Sequence, residues 1–338
     1  MNKKTIITLP ILAMHLSNMC IPSNTKNYDI VAVHMAHDQS GKNGSEQFNA
    51  KSEMQALKKM AESGNTTAMN ELGIMFLNIR EYQEAIDWFK KALEIESEQP
   101  VYNANIAHAY HSIGQLESAR FHLEKAAQKG LTLALISLGN LAIEEKKYDE
   151  AIEWYQQAIE KDNKTKYKKK LAFAHKLNKN HQEAVNILKK IAQEEHDDEA
   201  MNQIGLIEYE QNNPQSAIHW FKKAIKIKNS SVYIFNLALT YQSVDKMDKA
   251  IEWYKKSAAK NCPLSLEKLG MYALDQGSYD QAIRLFKKAI KIDDENPNYY
   301  NSIARAYEQK GNDNLATEYY QKADELKKNI FSSLFLPY

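Results

Sequence analysis

Between Tyr82 and Glu96 the chain reads YQEAIDWFKKALEIE. Ala85, Ile86, Phe89, Ala92 and Leu93 fall at i, i+1, i+4, i+7 and i+8, while Glu84, Asp87, Lys90, Lys91 and Glu94 take the other side. That spacing predicts an amphipathic helix. The phrase returns as YDEAIEWYQQAIE from Tyr148, NPQSAIHWFKKAIKI from Asn213, MDKAIEWYKKSA from Met247 and SYDQAIRLFKKAIKI from Ser278. Its central alanine recurs at Ala85, Ala119, Ala151, Ala184, Ala217, Ala250, Ala282 and Ala316, always 32 to 34 residues apart.

Twelve residues before each alanine stands another small residue: Gly73, Ala107, Gly139, Ala172, Gly205, Ala238, Gly270 and Ala304. Glycine and alanine alternate throughout. A helical stripe of Met69, Leu72, Gly73 and Phe76 predicts a first helix over Thr67–Leu77, and a turn must follow before Tyr82. The equivalent turns contain Gly114, Asn212–Pro214, Gly277 and Gly311, all helix breakers. Each unit is therefore predicted to be a helix hairpin. The small residue on the first helix is expected to face the alanine on the second, letting the axes approach to about 8 Å. Aromatic residues four positions past the alanine fill the space beside it. Each such burial contributes roughly 1.5–3 kcal/mol, too little to order one hairpin alone, so neighbours must stack. Self-similarity near 34 residues is the signature of a helical solenoid. Trp88, Trp154 and Trp220, each 66 apart, point to a pair of repeats as the older unit.

The arrangement resembles the tetratricopeptide repeat. Asn105-Ile106-Ala107-His108-Ala109-Tyr110 with Gly114, Ala119 and Ala126 is similar to its pattern of aliphatic, small, aromatic and alanine positions, as is 298–307 with Gly311, Ala316, Tyr320 and Ala323. The junctions at 60–73 (MAESGNTTAMNELG) and 126–139 (AAQKGLTLALISLG) are similar to Sel1-type repeats. The resemblance implies an all-α, right-handed superhelical solenoid of about eight antiparallel helix hairpins. The repeat region is expected over 52–328, with a flexible linker over 23–51 and a capping tail over 329–338.

Composition narrows the functional classes. The chain has 338 residues, 44 basic and 43 acidic, with 11 glycines, 7 prolines and 2 cysteines. Such balance argues against nucleic acid as a partner. The basic run KDNKTKYKKK at 161–170 is expected to be a solvated helix face, with docking of an acidic partner as the alternative. Two cysteines exclude a disulfide framework. The first twenty residues, MNKKTIITLPILAMHLSNMC, follow the charged, apolar, polar order of an export signal. Residues 1–22 are therefore expected to direct export to a bacterial cell envelope, with Cys20 the candidate for lipidation. Membrane association is expected through that N-terminal segment alone. An unprocessed chain would be cytoplasmic.

Candidate chemistry is sparse. No phosphate-binding glycine loop, GxSxG elbow or HExxH pair occurs, so neither an enzyme nor a cofactor is expected. His108 and His111 have a spacing that could share a metal, but no third ligand accompanies them in that helix, so no metal site is predicted. Cys262, ahead of Pro263, reads as a small junction residue.

In tetratricopeptide solenoids the first helices line a concave groove that holds peptides or partner helices. The resemblance therefore assigns the groove to His108, His111, Asn140, Lys169, Phe173, Asn202, Leu206, Tyr209, Phe235, Gln242 and Arg305. The same row includes Asn70, Ile74, Leu77, Ile143, Leu239, Met271 and Asn301. The lysine–asparagine clamp of chaperone-binding members is missing, since Lys169 is followed four residues later by Phe173 and Asn70 by Ile74. The expected function is a protein-interaction scaffold at the envelope, with a secreted effector as the alternative.

Overall fold

A computed structural model describes residues 46–334, which hold seventeen α-helices and no strand. The chain divides into two units, with the division between Ile187 and Leu188. In the first unit α1 (Glu46–Glu62) precedes three hairpins: α2–α3 (Thr66–Asn78 and Tyr82–Ile95), α4–α5 (Pro100–Ser112 and Leu116–Gln128) and α6–α7 (Thr132–Glu144 and Tyr148–Lys161). α8 (Thr165–Leu177) follows, and α9 (His181–Glu195) contains the division. The second unit continues as α10–α11 (Asp198–Glu210 and Pro214–Ile227), α12–α13 (Ser231–Ser243 and Met247–Ala258), α14–α15 (Pro263–Asp275 and Tyr279–Ile292) and α16–α17 (Pro297–Gln309 and Asp313–Leu334). Within each unit a helix packs on its partner and on the helix that follows it in sequence. α1 starts six residues before the expected start of the repeats, and α17 extends into the expected tail.

The glycines set how the hairpins close. A Cβ built on Gly73 would lie 2.4 Å from the ring of Phe89, and one on Gly139 would lie 2.4 Å from Tyr155. Gly205 stands in the same relation to Phe221, at 2.6 Å, and Gly270 to Phe286, at 2.5 Å. The expected partner was the alanine. Instead the ring of the aromatic residue sixteen positions on occupies the space a Cβ would take, where any side chain would displace it. All four rings are buried, at 0–2% exposure. The first unit is filled around Leu72, Phe89, Leu123, Leu138 and Tyr155, the second around Phe221, Phe235, Tyr254 and Phe286.

Every first-to-second-helix turn passes through one left-handed residue. Arg80, Gly114, Lys146, Lys179, Asn212, Asp245, Gly277 and Gly311 have φ between 56° and 80°. At Arg80 the amide bonds to the carbonyl of Leu77, and the next amide, of Glu81, to that of Phe76. This is the Schellman closure, which satisfies two carbonyls left orphaned by the end of the helix.

The junctions back to the next first helix alternate between two forms. Gly64, Gly130, His196 and Asn261 are left-handed, with φ of 50–92°. Glu96, Asp162, Lys228 and Asp293 keep a negative φ, between −118° and −148°. Each left-handed junction lies nine residues before Gly73, Gly139, Gly205 or Gly270, and each negative-φ one precedes a helix that carries alanine instead. Turn geometry and glycine placement thus share one period of two hairpins.

Candidate protein-binding surface

Counting from the small residue of each first helix places the candidates in three registers. Three residues before it stand Asn70, Lys169, Asn202, Phe235 and Asn301. One after it stand His108, Asn140, Phe173, Leu206 and Arg305, and four after it His111, Tyr209 and Gln242. A helical step of about 100° sets these registers on one side of each first helix.

In the first unit several candidates are engaged with their neighbours. Asn105 donates through Nδ2 to Oδ1 of Asn70 at 2.8 Å, joining α4 to α2. Asn140 is buried. Its Oδ1 accepts from the Tyr155 hydroxyl at 2.8 Å and from Lys170 Nζ at 2.9 Å, so one amide ties α6 to α7 and α8. His111 Nε2 lies 2.8 Å from Glu144 Oε2, an exposed pair that adds little stability. His108, Lys169 and Phe173 are half-buried, and Phe173 packs against the core of α6 and α7. Leu77 and Ile143 are buried between helices.

The second unit divides its candidates more sharply. Asn236 Nδ2 donates to Asn202 Oδ1 at 3.0 Å, and both amides are buried. Phe235 is fully enclosed, with its ring centroid 5.7 Å from that of Tyr254, so it belongs to the core and not to an open face. Gln242 Oε1 accepts from the Tyr254 hydroxyl at 2.6 Å. Leu206, Tyr209, Leu239 and Met271 remain half-buried, and Arg305 is exposed. Desolvation raises the pKa of Tyr209 against an opposing hydrogen bond from Ser243, so its hydroxyl stays neutral.

Sequence reasoning missed Asn105, Lys170, Asn236, Glu144 and Glu267. The first three lie two residues before the small residue and Glu144 five after it, one step off the registers used to choose candidates. The available signal was the spacing of Asn70 to Asn105 and of Asn202 to Asn236, 35 and 34 residues. Glu267 does occupy a chosen register, between Phe235 and Asn301. Its carboxyl is half-buried, and desolvation raises its pKa against the nearby charge of Lys268.

Among the described residues no three His, Cys, Asp or Glu side chains group as a metal site, and no helix is long and apolar enough to cross a membrane. Cys262 is buried in the core of the second unit. Cys20 lies outside the described residues, as do residues 1–22.

Family models described as tetratricopeptide repeat match residues 66–97, 101–128, 132–165, 199–230, 234–264 and 297–330, and a further TPR repeat model matches 274–311. Together they span more than half of the chain. At the junctions similar to Sel1 repeats, the models over 66–97 and 132–165 are tetratricopeptide models. A curated relative, the small glutamine-rich tetratricopeptide repeat-containing protein 2 of Mycosarcoma maydis, is 32% identical over 96 residues. That match spans 28% of this chain and 27% of the relative. The C-terminal part of a TPR repeat-containing protein from Cytophaga hutchinsonii superposes with a TM-score of 0.52 at 18% identity, covering 69% of this chain and 98% of that one. YrrB, described as a TPR protein with an unusual peptide-binding site, has a TM-score of 0.44 at 18% identity, covering 53% and 96%. Repeated hairpins with small residues under aromatic rings, matched by these models along most of their length, are what the family's repeats are made of: the chain belongs to the tetratricopeptide repeat family, an all-α solenoid fold that serves as a scaffold for protein interaction.

Proposed function

We propose that the protein binds a peptide or partner helix on the concave face of its first helices and acts there as a scaffold without catalysis. The observation that carries this reading is the division of labour in the second unit. Asn202, Phe235 and Asn236 are closed between helices, while Leu206, Tyr209, Leu239 and Met271 keep part of their surface open at the two registers after the small residue. A row of apolar and amphipathic side chains at successive repeats fits an amphipathic helix or an extended peptide.

A photoreactive phenylalanine analogue placed at Tyr209 or Leu239 tests this in the cells that make the protein. Crosslinks to a partner are expected at these positions and not at Glu252, an exposed site on α13. Crosslinking at Glu252 alone would overturn the groove reading.

We further propose that this interaction takes place at a bacterial cell envelope, on the strength of the charged, apolar, polar order of residues 1–22. The intact mass and cell fraction of the full-length product test it. A mature chain beginning at Cys20 with acyl mass fits an anchored envelope protein. Cleavage without lipid and release to the medium favours a secreted effector, and an unprocessed soluble chain rejects export.

A further inference from the structure

The paired amides give the second unit an internal standard. In α2 and α4, Asn70 accepts from Asn105, and in α10 and α12, Asn202 accepts from Asn236. In both cases the acceptor stands three residues before a glycine and the donor two residues before the alanine of the next hairpin. The same registers in α14 and α16 hold Glu267 and Ser302. Here the acceptor register holds a carboxylate and the donor register a shorter side chain. The Ser302 hydroxyl turns instead toward Met271 Sδ, at 4.0 Å. Among the described residues no hydrogen bond or ion pair is made to the Glu267 carboxyl, although the residue is half-buried.

A carboxylate drawn out of water without a partner is costly, and a cation brought to it recovers much of that cost. Burial already pushes the Glu267 carboxyl toward its neutral form, against the charge of Lys268. Met271 lies one turn along α14 from Glu267, half-buried at the register proposed above to face a ligand. That combination suits a side chain with an apolar stem and a cationic head. A planar guanidinium, able to donate two bonds to one carboxylate, suits it best.

We infer that Glu267 is a specificity residue that receives an arginine or lysine side chain of the bound peptide, its stem along Met271 and its head at the carboxylate for which α16 supplies no donor. This rests on the concave-face reading and names part of the partner's chemistry.

The test is an array of random dodecapeptides probed with the full chain. Wild type is expected to retain peptides enriched in arginine and lysine. E267Q, which keeps the side chain's shape and removes its charge, is expected to weaken an arginine-containing hit about tenfold and leave hits lacking arginine and lysine unchanged. S302N restores the amide donor found in the other two pairs and is expected to lower the same preference by satisfying Glu267 internally. Retention of the arginine and lysine preference in both variants overturns the assignment of Glu267 while leaving the groove intact. An array on which wild type retains nothing overturns the groove reading and this assignment together. Arginine-dependent hits that survive Y209K and M271K as well would move the cation site off this face.

Discussion

The side-chain amide of Asn236 donates to that of Asn202, 3.0 Å away, across two first helices that are separated by one complete repeat in the sequence. Both groups are buried, so each depends on the other for satisfaction. Replacing Asn236 by alanine leaves the Asn202 oxygen without its donor. We expect a loss of about 1–3 kcal/mol in urea unfolding. The N202A/N236A pair should lose less than the sum of the single variants, because the second substitution removes the group that the first left unsatisfied. Strict additivity would mean that the pair makes no stabilising contact.

Gly205 illustrates the opposing effects in a helix interior. Alanine there gains about 1 kcal/mol of helix propensity. Its Cβ, however, would lie 2.6 Å from the Phe221 ring and force the ring out of its site. Overpacking of this kind costs about 1–3 kcal/mol, so G205A is expected to be destabilising overall. Placing leucine at Phe221 in that background reproduces the alanine and leucine found at these two positions in α4–α5, at Ala107 and Leu123. The double variant should therefore be more stable than the sum of its single effects. Thermal unfolding of the four proteins measures the coupling.

Lys146 occupies a left-handed position, with φ of 61°. That conformation costs a residue with a Cβ about 1–2 kcal/mol, whereas glycine costs about 0.5–1 kcal/mol through the entropy of the unfolded chain. K146G should raise stability by about 0.5–1 kcal/mol. A loss of stability would indicate that the lysine side chain holds the turn in a way its backbone geometry does not reveal.

The pH dependence of E267Q follows from the direction of one shift. Desolvation raises the folded-state pKa of Glu267, so below its unfolded value the carboxyl is neutral in both states and carries no penalty. As pH rises through the folded value, the native state alone resists ionisation and stability is lost. Glutamine does not titrate. The stability of E267Q relative to wild type should therefore grow from acid toward neutral pH and then level off, as measured by urea unfolding at a series of pH values. A constant difference would show that the carboxyl is as well solvated in the fold as outside it.

Much of the architecture follows from the sequence by itself, because the physical rule behind it is local and periodic. Apolar spacing along Ala85–Leu93 defines a helix. Eight recurrences of one alanine define eight hairpins, and the small residues twelve positions earlier mark where first and second helices come close. Only half of the left-handed turns were legible, since Gly114, Asn212, Gly277 and Gly311 announce themselves while Arg80, Lys146, Lys179 and Asp245 do not. In those four the closure of two helices overrides the preference of the residue.

Tertiary structure decided what each inward-facing side chain does. Phe235 and Leu206 both lie on the candidate side of their helices, yet one is sealed against Tyr254 and the other is half-open. Asn202 resembles a binding residue in sequence and is a strut in the fold, because its partner Asn236 sits one step out of register, 34 residues away. Glu267 looks like any surface glutamate until Ser302 is set across from it. Helical periodicity fixes the direction in which a side chain leaves its own helix. Which group it meets, and whether any room is left for a partner, depends on the neighbouring helix that packs against it.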